Sequence, residues 1–103
     1  MNKYGQGTTP YLVFQIEGDL SEADHIVVTL RQGNVQLNLD KERVTVDTEG
    51  ELSSLTVHLT QEETLRFEEG RAQAQVRWTA NEEAYITEEE TIQFFRALYK
   101  GVI

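Results

Sequence analysis

The chain contains no cysteine. Disulfide frameworks, thiolate zinc sites and cysteine-based catalysis are therefore excluded, and the composition is typical of a reducing compartment. The single proline, Pro10, is expected at the start of a first or edge strand, because proline has no backbone N–H to give to a sheet.

Long apolar runs are also missing. No segment approaches the roughly 18 consecutive apolar residues that a membrane-spanning helix needs, so we expect no membrane partner. The N-terminal segment MNKYGQGTTP lacks the apolar region of a secretory signal, which predicts synthesis in the cytoplasm.

Basic residues are scarce. Nine Lys and Arg stand against 18 Asp and Glu, which gives a net charge of −9. Nucleic-acid backbones and anionic lipid surfaces are bound by clustered cations, so neither partner is expected. The acidic excess is interpreted mainly as a source of solubility, and an acidic docking face is the alternative.

The clearest pattern in the sequence is an alternation of small or apolar residues with polar ones between Arg71 and Thr79. Alternation with a period of two predicts a strand with one face on a core and the other in water. Ala72, Ala74, Val76 and Trp78 form the predicted inner set, and we expect Trp78 to fill a large share of the core.

A capping pattern precedes this strand. Thr60 and Glu63 have the spacing of a capping box, in which each side chain bonds the backbone of the other residue. The pattern predicts a short helical turn anchored by Leu65 and Phe67. Such a turn would connect two strands, since one or two turns are not stable alone.

Other segments repeat the alternation at a spacing of about eight to twelve residues, which is typical of an antiparallel β-sandwich. We predict an all-β fold of about seven strands with one or two short helical turns, the second of them at 20–24. The strands are expected at Tyr11–Ile16, His25–Gln32, Val35–Leu39, Arg43–Asp47, Leu52–Leu59, Arg71–Thr79 and Ala84–Phe95, the last bent near Glu88–Glu90.

The length of 103 residues fits one domain. We divide it into a loose N-terminal arm at 1–9, a sandwich at 10–95 and an apolar C-terminal tail at 96–103.

The sequence offers no recognisable reaction centre. His25 and His58 fall in separate predicted strands and belong to no short metal-ligand motif. The adjacent residues Glu88–Glu90 would point to alternate faces of a strand, so they do not converge on a cation. We therefore assign no catalytic, metal or cofactor-binding residue and expect a protein that is not an enzyme, with a small hydrolase as a minor alternative.

Exposed aromatic and apolar residues near the termini are the predicted partner contacts. Of the four tyrosines, Tyr11 and Tyr85 are expected to pack on strand faces. Tyr4 and Tyr99 lie toward the two ends, and the tail finishes with Val102 and Ile103. We assign these four residues, Tyr4, Tyr99, Val102 and Ile103, to partner binding.

The segments GTTPYLVFQI, DLSEADHIVVTLRQ, LTQEETLRFEEGRAQAQVRW and FFRALYKGVI resemble small proteins encoded in the phage and prophage structural gene clusters of Gram-positive bacteria. The resemblance extends over nearly the whole chain, and the N-terminal sandwich of upper baseplate proteins is the nearest analogue. It implies an immunoglobulin-like sandwich and a virion component of the tail or baseplate. No functional residue is carried over, because the shared pattern concerns packing.

The resemblance further implies a non-enzymatic structural or assembly protein that binds other virion proteins and forms homo-oligomers. Such a protein would be made in the bacterial cytoplasm and assembled into the virion. Exposed strand edges, the arm and the tail would bind partners through main-chain hydrogen bonds. The alternative is a carbohydrate- or protein-binding β-sandwich module.

Overall fold

A computed structural model describes residues 2–103, which form two packed sheets. Within these residues the strands are β1 (Asn2–Gly5), β2 (Tyr11–Glu17), β3 (His25–Gln32), β4 (Val35–Leu39), β5 (Val44–Glu49), β6 (Leu52–His58), β7 (Gly70–Ala80), β8 (Glu83–Ile86) and β9 (Glu90–Phe95). A 3₁₀ turn covers Lys41–Arg43, and one α-helical turn, α1, covers Gln61–Leu65. None of the described helices is long and apolar enough to cross a membrane.

The larger sheet has the strand order β1-β9-β7-β3-β4, and β8 also pairs with β7. Its centre is the antiparallel pair β3–β7, in which Val28 lies opposite Val76. The hairpin between β3 and β4 turns at Gly33 and Asn34, as the sequence predicts, and Gly33 has a φ of +57°. Glycine adopts such a left-handed conformation without steric cost.

The smaller sheet has the order β2-β6-β5, with both pairs antiparallel. Together the two sheets reproduce the immunoglobulin arrangement, in which strands B, E and D form one sheet and G, F, C and C′ the other. The predicted all-β, immunoglobulin-like sandwich is therefore the observed fold.

Aliphatic side chains fill the space between the sheets. The inward residues of β3 (Ile26, Val28 and Leu30) are at most 1% exposed. The largest buried rings are Phe67 and Phe94, which are both fully buried and stack in parallel with centroids 4.7 Å apart. Removing such an aromatic pair from water contributes strongly to the stability of a domain of this size.

Trp78 does not fill the core, so that prediction was wrong. It is only partly buried and lies at the margin of the core cluster. Its ring stacks on Tyr85 with centroids 5.4 Å apart, and Tyr85 is itself 48% exposed. Alternation along β7 gave the correct face for Trp78 but could not show how far the opposing layer extends over that face.

The N-terminal segment is not simply a loose arm. Asn2–Gly5 form β1, which pairs in parallel with β9. Gly5 is buried against Phe95, whose ring would lie 2.9 Å from a Cβ added at that glycine. The four residues of β1 are rich in polar atoms and show no alternation that would predict a strand. The hydrogen bonds that order them come from a strand about ninety residues away in sequence.

The last predicted strand divides at the expected bend. Thr87–Glu89 lie outside strands and separate β8 from β9. Two hydrogen bonds fix Thr87, between the two strands, against β7. Its backbone N–H donates to the carbonyl of Val76 at 2.9 Å, and its hydroxyl accepts from the Val76 N–H at 3.1 Å. The second helical turn lies at Lys41–Arg43, while the segment 20–24 forms turns and bends without a helix.

The capping box before α1 is present as predicted. The Thr60 hydroxyl accepts from the Glu63 N–H at 3.1 Å, and the Glu63 carboxylate accepts from the Thr60 N–H at 2.9 Å. The same carboxylate receives two bonds from Arg43, at 2.8 and 3.0 Å. These bonds, chiefly those from Arg43, hold the pKa of Glu63 below its ordinary value of 4.5. The helical turn is thereby tied to the small sheet's edge.

Gln6 connects both ends of the chain to the core. This side chain is buried; its amide donates to the Phe67 carbonyl at 2.7 Å, and its oxygen accepts from the Ala97 N–H at 2.9 Å. The Lys100 ammonium group also donates to that oxygen. Gln6 therefore fixes where the chain leaves β1 and where it continues after β9.

We expect Gln6→Ala to lower the free energy of unfolding by about 2–3 kcal/mol, because a buried carbonyl and a backbone N–H lose their partners. Urea denaturation measures the change. Gln15→Ala, at an exposed position on β2, is the control and should change stability by less than about 0.5 kcal/mol. Equal effects of the two substitutions would contradict a stabilising role for Gln6.

Glu63→Gln should remove a pH-dependent part of the stability. Since the folded-state pKa of Glu63 is depressed, its contribution is present above the unfolded value of about 4.5 and is lost as the pH falls through the folded value. We expect the wild type to exceed the variant by about 1 kcal/mol at pH 6, and this difference to shrink as the pH is lowered below about 4.5. Denaturation at several pH values, with Glu62→Gln as control, checks this, and a constant difference would contradict it.

Candidate functional site: the outer face of the large sheet

The register of the large sheet places one set of side chains on the surface that faces away from the core. We call this set the large outer face. Each member lies opposite another member across a strand pair, except Phe95, which lies opposite Gly5. Its side chains are Lys3, His25, Val27, Thr29, Arg31, Gln36, Asn38, Arg71, Gln73, Gln75, Arg77, Thr79, Ala84, Ile86, Thr91, Gln93 and Phe95.

The charge of the large outer face is opposite to that of the chain. Its charged side chains are Lys3, Arg31, Arg71 and Arg77, all of them exposed. Among the described residues, 2–103, the strands place no Asp or Glu on this face. Because the chain as a whole carries −9, this surface is an electropositive region on an acidic protein.

Amide side chains occupy much of the remaining face and form their own hydrogen bonds. Asn38 Oδ1 accepts from the Thr29 hydroxyl at 2.9 Å and from Gln36 Nε2 at 3.2 Å. Gln75 Nε2 donates to the Thr87 carbonyl at 3.0 Å. These bonds limit the motion of the amides, so their free donors and acceptors are already oriented for a partner.

A cavity of about 560 Å³ lies at one end of this face. Its lining includes Arg77 and Asn38 from the face, together with the stacked pair Trp78 and Tyr85. The hydroxyl oxygen of Thr79, which also lines it, is buried and has no hydrogen-bond partner within residues 2–103. A concave site that combines aromatic rings with amide and guanidinium groups can hold a small polar ligand.

The two histidines are not brought together, because they lie in different sheets. His25 begins β3 on the large outer face, opposite Thr79. His58 ends β6, stacks on Tyr11 at 4.0 Å and lies 3.1 Å from the Thr9 carbonyl through Nε2. Within residues 2–103, no three His, Cys, Asp or Glu side chains are grouped to hold a metal ion.

None of the four residues that the sequence assigns to partner binding is a member of the large outer face. Tyr4 is half-buried on the core side and packs at a tilt on Phe94, with centroids 6.3 Å apart. Burial raises the pKa of Tyr4 above its ordinary value. The prediction that Tyr4 is an exposed partner contact was therefore wrong.

The three tail residues are exposed. Tyr99 is 69% exposed, Val102 52% and Ile103 92%. The backbone of Ile103 is held against α1, since its N–H donates to Gln61 Oε1 and its carbonyl accepts from Gln61 Nε2, both at 2.9 Å. These positions remain predicted partner contacts, and they follow the last strand of the large sheet.

The opposite side of the sandwich is the small outer face, formed by the outward residues of β2, β5 and β6. Its members are Tyr11, Val13, Gln15, Glu17, Thr45, Asp47, Glu49, Leu52, Ser54, Thr56 and His58. Of the described residues, this face receives three carboxylates and no Lys or Arg. The two outer faces of the sandwich therefore differ in the sign of their charge.

Comparisons with known proteins give limited similarity. No protein-family model and no curated protein matches the chain. Among solved structures, murine CRIg is similar over 92% of this chain and 90% of its own, with 13% identity and a TM-score of 0.38. AggA, the major subunit of aggregative adherence fimbriae type I from Escherichia coli, is similar over 93% and 89%, with 11% identity and a TM-score of 0.43.

Proposed function

We propose that this protein is a non-enzymatic structural or assembly protein that binds a partner protein through the large outer face. The observation that supports the proposal is the segregation of charge: the strands of residues 2–103 place no carboxylate on this face, although the chain has a net charge of −9. Random placement of 18 acidic residues on a small surface would scatter some of them over every face. A partner with an acidic surface is the complement of this arrangement.

The composition of the face also supports protein binding. Its members include Arg77 and the exposed ring of Phe95, together with amide side chains such as Gln73. Arginine and aromatic residues are enriched in protein interfaces, whereas Lys and Glu are depleted there. Phe95 and Ile86 are 53% and 57% exposed, so they offer apolar area that a partner would cover.

We further propose that the assembly is a phage or prophage virion, with the protein in the tail or baseplate. This part rests on the resemblance of four sequence segments to phage structural proteins. Its localisation would be the bacterial cytoplasm during synthesis and the virion afterwards, with other virion proteins as partners.

The test is incorporation into particles. A tagged wild-type protein, expressed from its own locus in the source bacterium, should copurify with phage particles on a density gradient. Arg77→Glu should reduce this by about tenfold or more, because it puts a like charge opposite an acidic partner. Arg96→Glu makes the same charge change just after β9 and should leave incorporation unchanged.

Failure of the wild type to copurify would overturn the virion assignment. If Arg96→Glu blocks incorporation and Arg77→Glu does not, docking depends on the tail segment, and the large outer face is not the binding surface.

The cavity favours one alternative, a carbohydrate-binding module. Tyr85 is half-exposed beside Trp78, and sugars stack on such rings while amides bind their hydroxyl groups. If the protein binds bacterial cell-wall glycan in a pull-down, Tyr85→Ala should abolish binding. Tyr99→Ala, which removes an exposed ring that is not part of the cavity lining, should not. Equal retention by both variants would exclude the cavity as the glycan site.

A further inference from the structure

We infer that a second copy of this chain binds the large outer face, and that it does so with its small outer face. The inference rests on the proposed assembly function and names one partner for the same surface. It is based on two rows of charged side chains on opposite sides of the sandwich, which have opposite sign and similar spacing.

The first row crosses three strands of the large sheet. Lys3 of β1 lies opposite Gln93 of β9, which lies opposite Arg71 of β7. The two cations are thus two strands apart, a separation of about 10 Å given the usual strand spacing. Arg31 lies on the next strand, β3, opposite Gln73, one row farther along β7.

The second row crosses the three strands of the small sheet. Glu17 of β2 lies opposite Leu52 of β6, which lies opposite Glu49 of β5. The two carboxylates are also two strands apart, again about 10 Å. Asp47 adds a third carboxylate in the adjacent row of β5, opposite Ser54.

These side chains are not used inside the molecule. The ion pair in the described chain joins Arg43 to Glu63, and within residues 2–103 the side chains of Lys3, Arg71, Glu17 and Glu49 make no salt bridge or hydrogen bond. All four residues are exposed. Their charges are therefore available to another molecule without the loss of an internal contact.

The charges also determine which faces can meet. Two large outer faces would oppose cations, and two small outer faces would oppose carboxylates, so both symmetric pairings are repulsive. Only the pairing of unlike faces brings opposite charges together. Because the two faces lie on opposite sides of one sandwich, each added copy leaves a free face of each kind, and the contact repeats as an open stack.

The contact area sets the expected strength. Three strands of seven residues cover about 14 by 23 Å, or about 300 Å². Stable complexes bury about 800 Å² on each partner, so the contact should be weak in free solution. It would gain effective strength where other contacts of an assembly hold neighbouring copies in place.

Sedimentation velocity on the purified chain, from about 10 μM to 1 mM at an ionic strength of about 0.1 M, tests the inference. At that ionic strength the Debye length of about 10 Å screens repulsion between the net charges but not contacts between touching faces. We expect the weight-average mass of the wild type to rise at least about twofold over this range. Lys3→Glu/Arg71→Glu and Glu17→Lys/Glu49→Lys should each remain monomeric.

Restoration of stacking is the decisive control. An equimolar mixture of the two double variants again presents opposite charges at every contact and should associate. The quadruple variant, which keeps the net charge of −9, should associate alone. Glu22→Lys/Glu62→Lys makes the same change in net charge as the acidic-row variant at exposed positions outside both faces, and should behave like the wild type. Circular dichroism checks that each variant is folded.

A wild type that stays monomeric at about 1 mM would overturn the inference. So would double variants that associate as well as the wild type, or a mixture and a quadruple variant that both stay monomeric. A monomeric wild type whose incorporation into particles still depends on Arg77 would leave the proposed function standing with a different acidic partner. A wild type that stacks but never enters particles would overturn the virion assignment and leave the stacking contact standing.

Discussion

The register between β3 and β7 is the constraint on which the rest of the molecule depends. It places Val28 opposite Val76 inside the sandwich and Val27 opposite Arg77 outside it. Since side chains alternate along a strand, a slip of β7 by one residue would bury Arg77 and expose Val76. The energetic penalty of burying an unpaired guanidinium group is large, so the core and the outer face are specified by the same pairing.

This coupling explains why the fold could be predicted largely from the sequence. β3 and β4 begin and end at the predicted residues, because each alternates cleanly and a two-residue turn joins them. The capping box at Thr60 and Glu63 is a local motif with a local mechanism, and it appears as expected. β1 was missed because a parallel pairing with β9 leaves no pattern within its own four residues.

The candidate site could be predicted only in part. Alternation shows that Arg71 and Arg77 point outward, but it does not show which outward residues of other strands lie beside them. The pairings of β1 with β9 and of β9 with β7 bring Lys3 next to that set, from the far end of the chain. The net charge of the chain also gave no indication of this site. It is an average over the whole surface and predicts at most an acidic docking face, whereas a partner in contact with one face interacts with the charges of that face.

Charge segregation of this kind has consequences for how a sandwich associates. A symmetric dimer uses one patch twice and then stops, so its patch must be complementary to itself. Neither outer face meets that condition, because the strands of residues 2–103 give each face charge of one sign. Complementarity exists only between the two sides, and contacts between unlike sides do not terminate by themselves. The length of any such assembly would therefore have to be set by another component.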